Sequence, residues 1–228
     1  VEGQAKLAAA RVVVLGAGGL GFPLLSYLGA AGVGTITVVE RDAVESTNLN
    51  RQLLYTEADL GRRKADVARE RLRSQNPSVS WRLLDRSLDA PLAKELGREA
   101  DLAVDCADNP ASRRILAAAA LAAGIPLVHG AVAGVEGAGG VFSPAGRPCL
   151  GCLEAGSSSG PTVPPPAVLG AVVGVVGSLM ATEAIRLLAG IGPPRFGELL
   201  LLDLERGAFD RVRLEPRPEC ELCDGDLP

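Results

Sequence analysis

A run of strand character leads straight into a glycine turn, and that junction constrains the fold more than any other feature of the chain. Arg11-Val-Val-Val-Leu15 is apolar and ends at Gly16-Ala-Gly18-Gly19-Leu-Gly21, after which Leu24, Leu25 and Leu28 recur at helical spacing. Strand, glycine turn and helix in that order read as the opening of a nucleotide-binding βαβ unit. Glycine lets the chain turn tightly and approach a phosphate, while the helix N-terminus supplies N–H donors and a favourable dipole. Thr35 to Val39 reads as the next parallel strand and ends at Glu40, whose carboxylate can accept ribose hydroxyls. Taken alone, these residues point to a nucleotide or dinucleotide, and an NAD-dependent Rossmann oxidoreductase is their natural reading.

The alternation continues downstream. Residues 61–76 form an amphipathic helix with Val67 and Leu72 on one side, closed by Asn76-Pro77. Val79 to Leu84, Leu102 to Val104 and Pro126 to His129 read as strands, with an Ala-rich helix over 110–123. The pattern predicts an α/β, Rossmann-like, mostly parallel sheet with helices on both faces. Beyond residue 132 it changes. Ala133 to Phe142 reads as a glycine-rich hairpin, 156–166 as a loop, and 168–189 as an apolar helix. Gly170, Gly174 and Gly177 would let another backbone pack closely on that helix. Leu199 to Leu202 and Ala208 to Leu214 read as a terminal antiparallel pair turned near Arg206-Gly207. Residues 1–228 are expected to form a single domain.

Composition narrows the function classes. Apolar residues make up 47% and charged residues 22%, which excludes a disordered chain. A formal charge of −4 gives no electrostatic case for nucleic acid or a membrane surface. Uncharged stretches at 115–135 and 155–182 are interrupted by Gly124-Ile-Pro126, by Pro161 and by Pro164-Pro165-Pro166. Both fall short of the roughly 20 apolar residues of a spanning helix and are expected to be buried elements. The opening residues lack a basic-then-apolar leader, so a cytoplasmic location is expected.

The cysteines carry a second signal. Cys149-Leu-Gly-Cys152 and Cys220-Glu-Leu-Cys223 are two CxxC pairs, and Cys106 stands alone. In a chain without an export signal such pairs favour metal over disulfide. Four thiolates suit a closed, structural Zn²⁺ site that staples the C-terminus to the body of the fold. A redox CxxC and two unrelated reduced pairs are the alternatives.

A polar set then departs from a dehydrogenase. Asp42, Thr47-Asn48-Leu49-Asn50-Arg51-Gln52, Lys64 and Asp108-Asn109 fall near the carboxyl ends of the predicted strands. Arg51 and Lys64 can neutralise a triphosphate and Asp108 can hold Mg²⁺ through oxygen. Hydride transfer needs neither. Singly, each reads as a solvated surface charge.

Gly16 to Gly21, Glu40-x-Asp42, Asn48-x-x-Arg51-Gln52, Lys64, Asp105-Cys106-Ala107-Asp108-Asn109 and the two CxxC pairs together resemble the ThiF/MoeB/HesA family, over essentially the whole chain. These are bacterial relatives of ubiquitin-activating enzymes. The resemblance implies ATP- and Mg²⁺-dependent adenylation of the C-terminal glycine of a small ubiquitin-like sulfur-carrier protein with a Gly-Gly tail. The product would serve thiamin, molybdopterin or thiolated-tRNA biosynthesis. It places Gly16, Gly18, Gly19, Gly21, Glu40, Asp42 and Asn109 around the nucleotide. Glu40, where the family usually has Asp, would bind the ribose. Asn48, Arg51 and Lys64 would meet the phosphates and Asp108 the magnesium. Cys149, Cys152, Cys220 and Cys223 match the zinc ligands, and a homodimer is implied. Family members often begin with an Arg-Tyr-x-Arg-Gln arm reaching the partner subunit's ATP site, and this chain starts after its expected place. Some also carry a cysteine in the loop before the apolar helix. Ser157 to Val163 has none, so adenylation without a covalent carrier step is expected there. Cys106 reads as a buried small residue, and His129 as a strand-end packing residue. The glycines of 130–140 would fit a channel for a glycine-rich tail. The competing readings are the oxidoreductase and a non-catalytic carrier-binding module of the same fold.

Overall fold

In the computed structural model, which describes residues 2–154 and 167–223, eight strands form one sheet in the order β3-β2-β1-β4-β5-β6-β7-β8. Its parallel half comprises β1 (Arg11–Leu15), β2 (Thr35–Val39), β3 (Ser80–Leu84), β4 (Leu102–Asp105) and β5 (Leu127–Ala133). The antiparallel continuation comprises β6 (Glu136–Phe142), β7 (Glu198–Asp203) and β8 (Ala208–Arg213).

Strand periodicity divides the core in two. Side chains alternate across a strand, and a sheet covered on both faces therefore reads as an unbroken apolar run. Val12 and Val14 of β1 enter one core with Leu7 of α1 (Glu2–Ala9), Leu24, Leu25 and Leu28 of α2 (Gly21–Ala30), and Val67 and Leu72 of α3 (Lys64–Gln75). Val13 and Leu15 enter the opposite core with Leu92 and Leu96 of α4 (Ala90–Glu99), Leu116 and Ala120 of α5 (Pro110–Ala123), and Leu150 of α6 (Leu150–Glu154). Helices on both faces are thus present as the sequence predicts.

The apolar helix is α7 (Gly170–Ala189), in the first core. It is long and apolar enough to cross a membrane by composition, but it packs along α2, β5 and β6. Two of its glycines admit the close approaches that the sequence predicts, and the approaching groups belong to the same chain. A Cβ at Gly170 would lie 2.2 Å from the Asn50 carbonyl oxygen, and one at Gly177 2.4 Å from Pro23 Cγ, so both approaches are within the chain. Gly174 meets nothing within 4 Å. Three of the glycines of 130–140 are packed against side chains of the same chain: a Cβ at Gly130 would strike Met180, one at Gly137 Val176, and one at Gly140 Leu199.

Other boundaries shift. β5 extends to Ala133, so it forms the first arm of the hairpin, which turns at Gly134 with φ +61°. α1, α4 and α6 are additional to the elements read from the sequence. The expectations for 156–166, including the cysteine-free Ser157 to Val163 segment, lie outside the described residues.

Candidate functional site

A cleft of about 510 Å³ opens at the carboxyl edge of the parallel strands, where strand order reverses between β1 and β4. Open α/β sheets bind ligands at such a switch point. Gly16, Gly18 and Gly19 line it below the N-terminus of α2. Gly16 adopts φ +96°, a conformation that favours glycine. Gly21 has a different task. A Cβ there would lie 2.4 Å from the Gly16 carbonyl oxygen, so it closes the turn and does not line the cleft.

Glu40 is buried at the end of β2 and accepts hydrogen bonds from the Ala17 N–H at 2.9 Å and the Asp42 N–H at 2.8 Å. A carboxylate offers about four lone-pair positions, so capacity for ribose hydroxyls remains. Tyr55, which the sequence reading overlooked, donates its hydroxyl to the Ala17 carbonyl at 2.9 Å. Burial, reinforced by the Glu40 charge, pushes its pKa up and keeps it a donor.

Lys64 is buried at the first position of α3, with Nζ 3.4 Å from Asp42 Oδ2. Arg51 Nη1 donates to the Thr47 carbonyl at 2.9 Å and to Asn50 Oδ1 at 3.2 Å. Asp42, Arg51, Lys64, Asp108 and Asn109 all line the cleft. Asp108 is exposed and has no hydrogen-bond or ion-pair partner among the described residues. Asn109 caps α5, its Oδ1 accepting the Ser112 N–H at 2.8 Å. Asn48 stands apart from this set. It shapes the 46–52 loop, its carbonyl accepting the N–H groups of Arg51 and Gln52.

The structure adds Arg113 to the lining and places Gln52 of the 47–52 segment there as well. Gln52 is buried, and its Oε1 has no partner among the described residues. Its neighbour across the cleft wall is Gly18, whose missing Cβ would lie 3.4 Å from Gln52 Nε2. An unsatisfied buried acceptor costs about 1–3 kcal/mol, so a donor from water or a ligand in the cleft would be favoured there. Cys106 lies at the cleft with its thiol pKa pushed well up by burial and by the Asp105 charge, which disfavours the nucleophilic thiolate. His129 is in mid-strand, not at a strand end, and its Nδ1 lies 2.7 Å from Asp105 Oδ2.

The four paired cysteines meet on the opposite core. Their sulfurs all lie within 4.8 Å of one another, with Cys149–Cys152 at 3.9 Å, Cys149–Cys220 at 3.6 Å and Cys152–Cys223 at 3.8 Å. Tetrahedral zinc with Zn–S of about 2.3 Å requires S···S near 3.8 Å, so this donor set fits the ion. Burial pushes the Cys149 thiol up. The Cys220 thiol falls to about 7 despite desolvation, because the Cys223 and Leu222 N–H groups favour its thiolate.

Comparison with known proteins agrees with this geometry. The model of the ThiF family matches residues 1–222. The sulfur carrier protein adenylyltransferase of Thermus thermophilus is 44% identical, covering 100% of this chain and 86% of that protein. The adenylyltransferase and sulfurtransferase MOCS3 of Bos taurus is 42% identical over 100% of this chain, which spans about half (51%) of its length. A crystal structure of E. coli MccB with MccA-N7isoASN superposes with a TM-score of 0.85 at 24% identity, covering 98% of this chain and 69% of that one. At that identity the likeness is one of fold.

Proposed function

The chain belongs to the ThiF family, and on that premise we propose that it adenylates the C-terminal glycine carboxylate of a small ubiquitin-like sulfur-carrier protein, releasing pyrophosphate from ATP. One observation carries the reading: Arg51, Lys64 and the exposed carboxylate of Asp108 converge on a cleft floored by the glycine turn. That is a set for a polyphosphate, and a hydride-transfer site has no use for it. The activity named for the Thermus thermophilus relative supports the same conclusion.

The chemistry asks for alignment and charge neutralisation. A carboxylate is a poor acyl donor because oxide is a hopeless leaving group. When the carrier's terminal carboxylate oxygen bonds to the α-phosphorus, the bond from that phosphorus to the bridging oxygen breaks. Pyrophosphate takes the electron pair, and AMP is left as a competent leaving group on the acyl carbon. The nucleophile is already ionised, so no general base is required. Glu40 holds the ribose, and the backbone from Gly16 to Gly19 admits the phosphates. Lys64 and Arg51 offset charge on the departing pyrophosphate. Asp108 would hold Mg²⁺, which when bound offsets phosphate charge. Asn48 acts through the loop it shapes. Zinc at Cys149, Cys152, Cys220 and Cys223 is structural, since a four-thiolate site has no open position. The homodimer and the cytoplasmic location belong to this proposal. The dimer rests on the family alone, because Gly170 and Gly177 face their own chain.

Carrier-dependent exchange of pyrophosphate into ATP tests the reading. Arg51→Ala should lower the exchange rate by roughly 10²–10³, the range for deleting one preorganised charge stabiliser. Asp108→Ala should abolish metal-dependent exchange in a folded protein. Full exchange in Asp108→Ala, or no exchange with any Gly-Gly-tailed carrier, would overturn it.

A further inference from the structure

The segment joining β4 to α5 delivers Asp108 to the cleft with no partner among the described residues. What fixes it lies underneath. Asp105, the last residue of β4, is fully buried, and its carboxylate has three partners. Oδ1 accepts the Ala107 N–H at 2.9 Å, while Oδ2 meets Arg113 Nε at 3.0 Å and His129 Nδ1 at 2.7 Å. Arg113 reaches the same stretch a second time, donating Nη2 to the Ala107 carbonyl at 2.9 Å. The residue immediately before Asp108 is therefore gripped at both backbone groups, its N–H by Asp105 and its C=O by Arg113.

Arg113 lines the cleft, and its charge invites the reading of a direct phosphate ligand. Its geometry argues otherwise. Nε and Nη2 are committed to Asp105 and Ala107, and Nη1 lies 3.9 Å from Glu154 Oε1 on α6. The guanidinium is aimed into the protein, with its side chain only 18% exposed. Stability alone is a weak reason for such a pair. Burying ions costs several kcal/mol each, and a well-packed apolar replacement is often as stable. The rigid, forked guanidinium supplies fixed geometry instead.

We infer that Arg113 is a positioning residue: with Asp105 and His129 it fixes the Ala107 peptide so that the Asp108 carboxylate faces the metal–nucleotide position. Outer partners of a ligand commonly tune metal affinity without touching the metal. The inference rests on Asp108 being the metal-holding group of the proposed reaction.

The test separates the two claims. Mn²⁺ is titrated by electron paramagnetic resonance into the full chain with the non-hydrolysable α,β-methylene analogue of ATP, without turnover. Arg113→Ala should weaken Mn²⁺ binding by about 10–100-fold, the range for lost outer-shell partners, while binding of the analogue without metal is unchanged. Arg113→Lys keeps a charge against Asp105 but lacks the two-point grip, and should lose Mn²⁺ affinity in the same direction. Arg114→Ala, next in sequence but exposed and paired with Glu221, should match the parent. Parent-like Mn²⁺ affinity in folded Arg113→Ala or Arg113→Lys overturns the inference, as does Mn²⁺ binding in the parent that Asp108→Ala leaves unaltered. A parent that binds Mn²⁺ with these effects but exchanges no pyrophosphate refutes the adenylation reading and leaves the positioning role standing.

Discussion

Replacing Cys220 by serine tests how the C-terminal segment is held to the body of the protein. Cys220 Sγ lies 3.6 Å from Cys149 Sγ, 71 residues earlier in the chain. A cross-link closing a loop of that length removes about 4 kcal/mol of unfolded-state entropy in the chain-entropy treatment of staples. For a domain of this size each 1 kcal/mol moves Tm by about 2–4 °C, so the loss corresponds to roughly 8–16 °C. The geometry leaves little room for compensation. A Cβ at Gly151 would lie 2.8 Å from Leu222 Cβ and 3.1 Å from Cys220 Sγ, so the two segments are already in close contact through a missing side chain. Elemental analysis of the purified parent should give about one zinc per chain, and Cys220→Ser should give none. Calorimetry should show the fall in Tm, and a chelator should lower the parent to the variant's value without moving the variant. A zinc-free parent with the same Tm as Cys220→Ser would refute the staple and the entropy argument together.

Two further outcomes follow from packing and charge. Gly177→Ala places a methyl 2.4 Å from Pro23 Cγ and 2.6 Å from the Leu20 carbonyl oxygen. It should cost about 1–3 kcal/mol, the range for overpacking, whereas Gly174→Ala should not, as chemical denaturation of both variants would reveal. Asp59 is buried, and its carboxyl is held below the ordinary carboxylate value. Desolvation opposes that shift, and hydrogen bonds from Thr56 and the Arg71 guanidinium overcome it. Its stabilising contribution is therefore complete above pH of about 4 and is lost as pH falls through the folded value. Asp59→Asn should lower stability at neutral pH by about 1–3 kcal/mol and flatten the acid limb of the stability profile. An unchanged acid limb would refute that assignment.

The parallel half was legible because its signals are local. β1 and β2 are unbroken apolar runs, and each ends at a residue that announces the strand's edge, Gly16 and Glu40. The cysteine cluster was legible because spacing alone restricts what two CxxC pairs can do. α4 has a readable signal as well: Asp89 accepts the Leu92 N–H at 2.9 Å as an N-cap, Pro91 sits in the first turn, and Leu92, Ala93, Leu96 and Gly97 repeat at helical spacing. Gln52 was legible only as a member of the Arg51-Gln52 motif, and Arg113 offered no local signal. Gln52 matters because its Oε1 is orphaned, and Arg113 because it turns back to Ala107 and not outward. Satisfaction and direction are properties of the fold, and no pattern of residue types encodes them. The glycines are ambiguous for the same reason. The need for a close approach can be read from a glycine, but not whether the approaching group is Pro23 of the same chain or another molecule.

The arrangement also explains why a site can be assembled from residues so far apart in sequence. In the parallel half every strand delivers its carboxyl end to the same edge, so the segments after β1, β2 and β4 place Gly18, Glu40 and Asp108 side by side. Antiparallel strands cannot do this, since alternate ends leave by opposite edges, and accordingly β6, β7 and β8 contribute nothing to the cleft lining. What the antiparallel half supplies is support. β6 pairs with β5 and packs against α7, and the chain beyond β8 carries Cys220 back to α6. α5 then joins the two regions through consecutive side chains. Arg113 grips the Asp108 segment, while Arg114 pairs with Glu221 inside the second CxxC. A helix with one end at the cleft and a neighbour at the cysteine cluster brings the two regions into one layer of the fold, and the exposed Arg114–Glu221 pair adds little to that tie.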